Sequence, residues 1–496
     1  MKVNLDITPK YYESVKDTLK ILLPEVEFYH IEEEVDGVTV VCELDTSDGI
    51  EVNSYLKEES SLEEKISDKE ILSDIYSEED FFKRVKERLK LSLYRLLIKY
   101  LNQEMSPWGI LIGVRPTKIG HYLLDRGLDY SIIDNYLEDI YGVSKEKREL
   151  LLDIIKLERN YLPTQDQAKN KISIYVGIPF CPTRCNYCSF ASYPIENNRR
   201  YMPDFLKSLC YEVEEIGKVV NELGLKVDTL YIGGGTPTVL SAEELDVLLA
   251  LLKKYFIHPS LREFTVEAGR ADTIDKDKLQ LLKDYGVERI SINPQTMNQS
   301  TLDHIGRCHT VEEVVESFNL AREIGFENIN MDIIIGLPDE NISDVEHTLE
   351  EIEKLNPDSF TVHTLAIKRA SRLKNNLDDT DLSSATEVEE MIHLTEGLAK
   401  KIGLIPYYMY RQKHILGNLE NVGYAKSGEE SIYNIIMMEE RETVIGLGGG
   451  AITKLVNPED WSLERLYNPK FPGQYSSEIK ERTITKVSKL KGFYTK

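Results

Sequence analysis

Cysteine is scarce, six in 496 residues. That is too few for a disulfide scaffold, and a chain this long buries a large core without staples. Long apolar runs are missing: no stretch approaches the ~20 residues that cross a bilayer as a helix, so membrane insertion is not expected. The opening MKVNLDITPKYYESVKD has no apolar core behind its charged start, so no signal peptide is expected and the expected location is the cytoplasm. Runs of Lys and Arg are missing too. The chain carries 60 basic against 85 acidic residues, a net charge of −25. A field of that sign repels a phosphate backbone, and no nucleic-acid partner is expected.

What cysteine there is clusters. Cys42, Cys210 and Cys308 stand apart, whereas Cys181, Cys185 and Cys188 fall in one C-x3-C-x2-C segment. Clustered thiols in a reducing compartment suggest a metal or redox site. Thiolates favour iron–sulfur or zinc. A structural zinc wants four closed ligands, and no fourth Cys or His lies nearby; Cys210, in a helical pattern, reads as a small buried hydrophobe. Three ligands on a [4Fe–4S] cluster leave one iron open to a substrate. The competing readings are a chance grouping or an incomplete zinc site.

The surrounding pattern is regular. Residues 172–178, 227–233, 263–268, 287–292, 328–335 and 359–365 read as apolar, β-branched strands. Helical patterns at 203–223, 241–255, 275–284, 311–324, 343–355 and 384–402 alternate with them, and 405–410 follows as IPYYMY. Such alternation predicts a parallel sheet covered on both faces, and six βα units suggest a barrel or partial barrel. In that architecture the working residues lie at the C-terminal strand ends. The cysteines follow the first strand and Gly233-Gly234-Gly235-Thr236-Pro237-Thr238 the second; Glu267 closes the third, Gln295 follows the fourth and Asp332 lies in the fifth. The expected class is α/β, with domains 1–165, 166–410 and 411–496. Within the first, 38–44 reads as a strand, 56–80 as a loop or frayed helix, and 145–158 as a helix. A helix is also expected from about Ser77, with Ser77 and Asp80 at capping-box spacing.

The cysteine spacing after a strand, inside a βα barrel, resembles the radical S-adenosylmethionine (SAM) superfamily. Together, Tyr175-Val-Gly-Ile-Pro-Phe-Cys181, the Gly-Gly-Gly-Thr-Pro-Thr loop, Val266-Glu267, Gln295, Gly306-Arg307 and Asp332-Ile-Ile-Ile-Gly-Leu-Pro338 resemble the oxygen-independent coproporphyrinogen III oxidase branch over about 172–453. The segments Arg115–Lys118 and Arg411–Tyr424 resemble its coproporphyrinogen dehydrogenase-like, HemZ-type subgroup. The resemblance implies a partial (β/α)6 radical SAM barrel with an added N-terminal α/β domain and a C-terminal extension. It implies a [4Fe–4S] cluster on Cys181, Cys185 and Cys188, with SAM at the fourth iron. Tyr175, Gly234 and Glu267 would contact that SAM. Tyr187, Gly235, Thr236, Gln295, Arg307 and Asp332, with looser matches at Ala366 and Ile452, would contact a second one.

The implied reaction is oxidative decarboxylation of coproporphyrinogen III to protoporphyrinogen IX, fed by an external one-electron donor such as flavodoxin or ferredoxin. The alternatives are a heme carrier on the same fold and another radical SAM reaction on heme. Candidate anchors for the tetrapyrrole carboxylates are Arg115, Lys118, Arg369, Arg411 and Lys413. Three positions depart from the oxidases proper: Ser189-Phe190 replaces a fourth Cys, Gly177 a His two residues after the leading Tyr, and Pro294 precedes the Gln. Gly446–Ala451 fits a loose dinucleotide fingerprint, but no further βαβ unit follows, so it reads as the tail of the SAM or substrate pocket.

Overall fold

The computed structural model describes residues 1–33, 35–47, 49–58, 61–70, 78–366, 382–412 and 415–495, with the backbone alone described at 58, 61–65, 67–70 and 78–80. The chain divides into two compact units, Met1–Ile155 with Arg411–Leu419, and Lys156–Tyr410 with Glu420–Lys496.

The first unit holds a five-stranded sheet of β1 (Lys2–Asp6), β2 (Glu27–His30), β3 (Val38–Asp45), β4 (Ile50–Glu58) and β5 (Ser61–Glu70), in the order β2-β1-β3-β4-β5. The expectation of a loop or frayed helix over 56–80 is corrected here. Residues 61–70 form a strand antiparallel to β4, with Glu58 opposite Ser61 and Ile50 opposite Glu70. As an edge strand it draws order from backbone pairing to one neighbour, so a charged composition does not exclude it. The expected helix follows as Glu78–Leu101; Ser77 lies outside the described residues.

The second unit is built on an eleven-stranded sheet. Its parallel heart is β6 (Lys171–Ile178), β9 (Lys226–Gly234), β10 (Glu263–Glu267), β11 (Arg289–Ser291), β12 (Asn328–Ile335) and β13 (Ser359–Thr364), each hydrogen-bonded to the next. Two short strands, β7 (Phe180–Cys181) and β8 (Tyr193–Pro194), close the cysteine loop between β6 and β9. Beyond β13 the sheet continues with antiparallel β15 (Asn421–Ala425) and then β14 (Ile405–Tyr410). On the other side β16 (Thr443–Gly448) runs parallel to β6, followed by antiparallel β17 (Ile452–Val456) and β18 (Leu463–Tyr467). The strands β15 to β18, from the segment expected to form a C-terminal extension, lie in the same sheet as β6.

The units form because local signals agree with the strand pattern. Capping boxes Ser241–Glu244, Thr310–Glu313, Asn341–Asp344 and Ser384–Glu387 open four of the barrel helices by satisfying their first N–H groups. Gly325 in the left-handed region ends the helix Val311–Ile324. Strand residues such as Ile174, Ile232, Val266, Ile290, Met331 and Phe360 are buried, as a sheet covered on both faces requires. Among the described residues no helix is long and apolar enough to cross a membrane.

Candidate active site at the C-terminal strand ends

Cys181 is buried at the end of β7, and Cys185 and Cys188 are half-exposed on the loop that follows. Two later segments grip this loop. Asn186 N–H donates to the Ile305 carbonyl (2.9 Å), its side-chain amide to the His304 carbonyl (2.8 Å), and Thr183 Oγ1 to the Gly306 carbonyl (3.0 Å). Thr236 Oγ1 donates to Cys181 Sγ at 3.4 Å. Gly235 is pressed onto the same strand: a methyl group there would strike the Phe180 carbonyl and come within 2.9 Å of Cys181 Sγ. Glycine at 235 is therefore a requirement of close packing against the cysteine loop, whereas Gly234 lies on Ile178 and Gly233 on Glu267 and Tyr231.

Glu267 stands at the end of β10. Its carboxylate accepts from Tyr231 OH (2.6 Å) and from the Gly234 N–H (3.2 Å), and a methyl group on Gly233 would lie 2.8 Å from it. Burial pushes the Glu267 carboxyl up to about 7, aided by the charge of Asp332 and opposed by those two hydrogen bonds. A cationic ligand would therefore draw it into its ionised form. Tyr175 lies in a stack with Tyr231 and Tyr433; the Tyr231 and Tyr433 rings are 4.3 Å apart at 19°.

Arg307 is buried, and donates to the Asn293 carbonyl. Burial disfavours its charge, but neighbouring Tyr187 and Cys185 hold the guanidinium firmly protonated. Its Nε has no partner among the described residues. Gln295 takes a left-handed backbone (φ 70°), bridging parallel to β12: its N–H donates to the Asp332 carbonyl and its carbonyl accepts from Ile334. Such a non-glycine conformation persists only where its surroundings enforce it. Asp332 accepts from Asn330 (2.7 Å) and lies 3.7 Å from His363 Nε2, whose ring contacts Tyr410 OH through Nδ1 at 2.9 Å. Burial raises this carboxyl, yet the His363 and Asn330 partners bring it below its ordinary range. Ala366 follows the end of β13 and Ile452 begins β17, both half-buried.

The structure therefore gathers most of the sequence-predicted residues into four groups, of which three are Gly235 and Thr236 on Cys181, Tyr187 and Arg307 beside Cys185, and Gln295 against Asp332. Glu267 and Gly234 form a fourth with Tyr231. Sequence reasoning misses Tyr231, Tyr433 and Asn293. Tyr231 is within its reach, since it lies two positions before Gly233 on a strand that alternates faces. Arg411, a candidate carboxylate anchor, is corrected. Its guanidinium donates to the carbonyls of Leu111, Asn418 and Leu419 and lies over the Trp108 ring at 5.0 Å, so it holds the first unit together. Arg369 and Lys413 lie outside the described residues.

The donor set fits an iron–sulfur cluster better than a single zinc ion. Three thiols on one short loop are the soft donors such a cluster takes, whereas a structural zinc needs a fourth ligand that the loop itself does not offer. Burial pushes the Cys181 thiol up to about 12 despite the Thr236 hydrogen bond, so a thiolate there needs a cationic partner.

These features define a radical SAM protein. Residues 175–352 match the radical SAM superfamily. The chain is 40% identical over 469 residues, 94% of its length and 93% of the relative's, to the oxygen-independent coproporphyrinogen-III oxidase-like protein HemZ of Bacillus subtilis. It belongs to the HemZ-like family of that superfamily, whose members use a [4Fe–4S] cluster and SAM. It is also 33% identical to the heme chaperone HemW of Bacillus subtilis, over 62% of this chain and 79% of that protein. The coproporphyrinogen III oxidase HemN of Escherichia coli shares the fold at a TM-score of 0.50 and 23% identity, over 64% of this chain and 72% of that one.

Proposed function

We propose that this protein removes the carboxyl groups of two coproporphyrinogen III propionates, giving the vinyl groups of protoporphyrinogen IX. The observation that carries the reading is the convergence of Cys181, Cys185 and Cys188 with Gly235, Thr236, Glu267 and Arg307 at one end of a parallel barrel. A [4Fe–4S] cluster and SAM, if bound on this loop and fed by an external one-electron donor such as flavodoxin or ferredoxin, would supply the radical chemistry that removes a hydrogen atom from an unactivated carbon.

The chain's own residues do the rest. Cys181, Cys185 and Cys188 would hold the cluster. Glu267, ionised by a cation beside it, receives an ammonium group while the Gly234 N–H holds its other oxygen. Tyr175, stiffened by Tyr231 and Tyr433, walls the pocket against water. Arg307 pairs with a carboxylate through two parallel bonds. Gln295 and Asp332, fixed to each other, accept from hydroxyl and amino groups, and Tyr187, Gly235, Thr236, Ala366 and Ile452 line the remainder of a second SAM site. Hydrogen abstraction at the β-carbon of a propionate, loss of carbon dioxide and transfer of one electron to an external acceptor complete each vinyl group.

The likeness to the heme chaperone HemW favours a second reading, a heme carrier on the same barrel. Anaerobic incubation with SAM, dithionite and coproporphyrinogen, then air oxidation, separates the two. Fluorescent vinyl porphyrin together with 5′-deoxyadenosine is the expected result. Heme held stoichiometrically without turnover points to the carrier.

A further inference from the structure

Beside the cysteine loop lies a charged group that no ligand assignment uses. Arg270, three residues past Glu267, is 2% exposed. Its guanidinium grips Asp272 in a forked pair (Nε to Oδ1 2.9 Å, Nη2 to Oδ2 2.7 Å) and donates through Nη1 to Thr183 Oγ1 at 2.7 Å. Thr183 lies between Cys181 and Cys185 and itself donates to the Gly306 carbonyl. Behind Asp272 is His309, fully buried, with Nδ1 3.8 Å from Asp272 Oδ1 and, among the described residues, no hydrogen bond to either ring nitrogen. Burial opposes the Asp272 charge, yet His309 and Arg270 hold its carboxyl at about 2.

We propose that Arg270 and Asp272 form a buried clasp that fixes the cysteine loop and sets the reduction potential of the cluster held there; this rests on the cluster reading above. A guanidinium cannot shed its proton, so burial leaves a fixed positive charge next to the ligand loop. The Arg270 Nη1 is hydrogen-bonded to Thr183, two residues from both Cys181 and Cys185. Reduction adds negative charge to the cluster, and a fixed cation in a low-dielectric surrounding favours the reduced form. Asp272 offsets part of that field. Removing each partner should therefore move the potential in opposite directions, which loss of packing alone does not produce.

The test is an EPR-monitored redox titration of the anaerobically reconstituted full chain, with iron counted per chain. Arg270→Met should lower the midpoint and Asp272→Asn raise it, each by about a tenfold change in the reduced-to-oxidised ratio, or about 59 mV for a one-electron couple. Thr183→Val, which cuts the link to the loop and keeps both charges, should broaden the EPR signal with a smaller shift. Unchanged midpoints in charge variants that load full iron would overturn the proposal, as would shifts of the same sign. Where Arg270→Met fails to fold, Asp272→Asn decides alone: a rise supports the clasp and no change refutes it. A parent chain that takes up no cluster refutes instead the functional reading beneath it.

Discussion

Replacing Gly235 by alanine probes the joint between the glycine loop and the cysteine loop. The added methyl meets the Phe180 carbonyl and lies 2.9 Å from Cys181 Sγ. The first neighbour is backbone and cannot rotate away. The strands must separate, and the Thr236 N–H···Phe180 bond (2.8 Å) and the Gly235 N–H···Ile178 bond (2.8 Å) cross that joint. Overpacking of this kind costs about 1–3 kcal/mol, and one lost backbone bond about 1 kcal/mol. The expected loss is about 2–4 kcal/mol, or a melting temperature lower by about 4–8 °C. Cys181 moves with Phe180, so iron uptake should fall to half or less of the parent value. Differential scanning fluorimetry and iron and sulfide analysis after anaerobic reconstitution measure both effects. Gly397→Ala is the control: its added methyl meets nothing within 4 Å, inside the helix Ala385–Lys401, and should stabilise slightly. A Gly235→Ala chain that melts within 1 °C of the parent and binds full iron would refute the reasoning.

Three further outcomes follow from the same geometry. Glu267 has a folded pKa raised to about 7, so the folded state holds a proton that the unfolded chain releases near 4.5; stability falls as pH rises between those values and is level above. Glu267→Gln lacks this loss, and the variant's urea stability relative to the parent should rise from pH 5 to pH 8 by on the order of 3 kcal/mol. Gln295→Gly should unfold at higher urea than Gln295→Ala by about 1–2 kcal/mol, because only glycine takes the left-handed backbone without cost. Lys486 is paired with Glu212 (2.5 Å), buried between the helices Pro472–Tyr494 and Met202–Glu222; Lys486→Met should cost about 3–5 kcal/mol in urea unfolding, and the double variant with Glu212→Gln should recover part of it.

The six βα units are legible in the sequence because their signals are local. A β-branched run such as Asn328–Ile335 and a box such as Thr310–Glu313 declare themselves within a dozen residues. The rule that working residues follow strands then points to Glu267, Gln295 and Asp332 from the chain alone. Non-local pairing hides the rest. Ser61–Glu70 becomes a strand only because β4 offers an edge, and β16 joins the barrel beside β6 across some 270 residues of chain. Tyr433 is fixed by a buried carboxylate distant in sequence: Glu263 accepts from the N–H groups of Ile432 and Tyr433 at the start of the helix Ile432–Glu439. Arg411 reads as a free cation because sequence does not say that Trp108 and three carbonyls surround it.

The departure at Gly177 takes on a different meaning once β16 is placed. A methyl group on Gly177 would lie 2.8 Å from the Gly449 carbonyl, and Gly449 N–H donates back to the Gly177 carbonyl at 3.0 Å. A methyl on Gly449 would in turn sit 2.6 Å from Pro179 Cγ. The two backbones are flush, so the glycines at 177 and 449 serve strand contact. Nor is the Gly449 segment free to withdraw. Gly448 N–H donates to Glu212 (2.8 Å), which Tyr475 OH (2.7 Å) and Lys486 also bind. The histidine of the oxidases proper therefore cannot be restored by one replacement. Gly177→His should lower the melting temperature and iron content at least as far as Gly235→Ala does. If Gly177→His instead folds at the parent's stability with a full cluster, β16 yields more readily than these contacts allow, and the coupling between Gly177 and the Glu212 network is wrong.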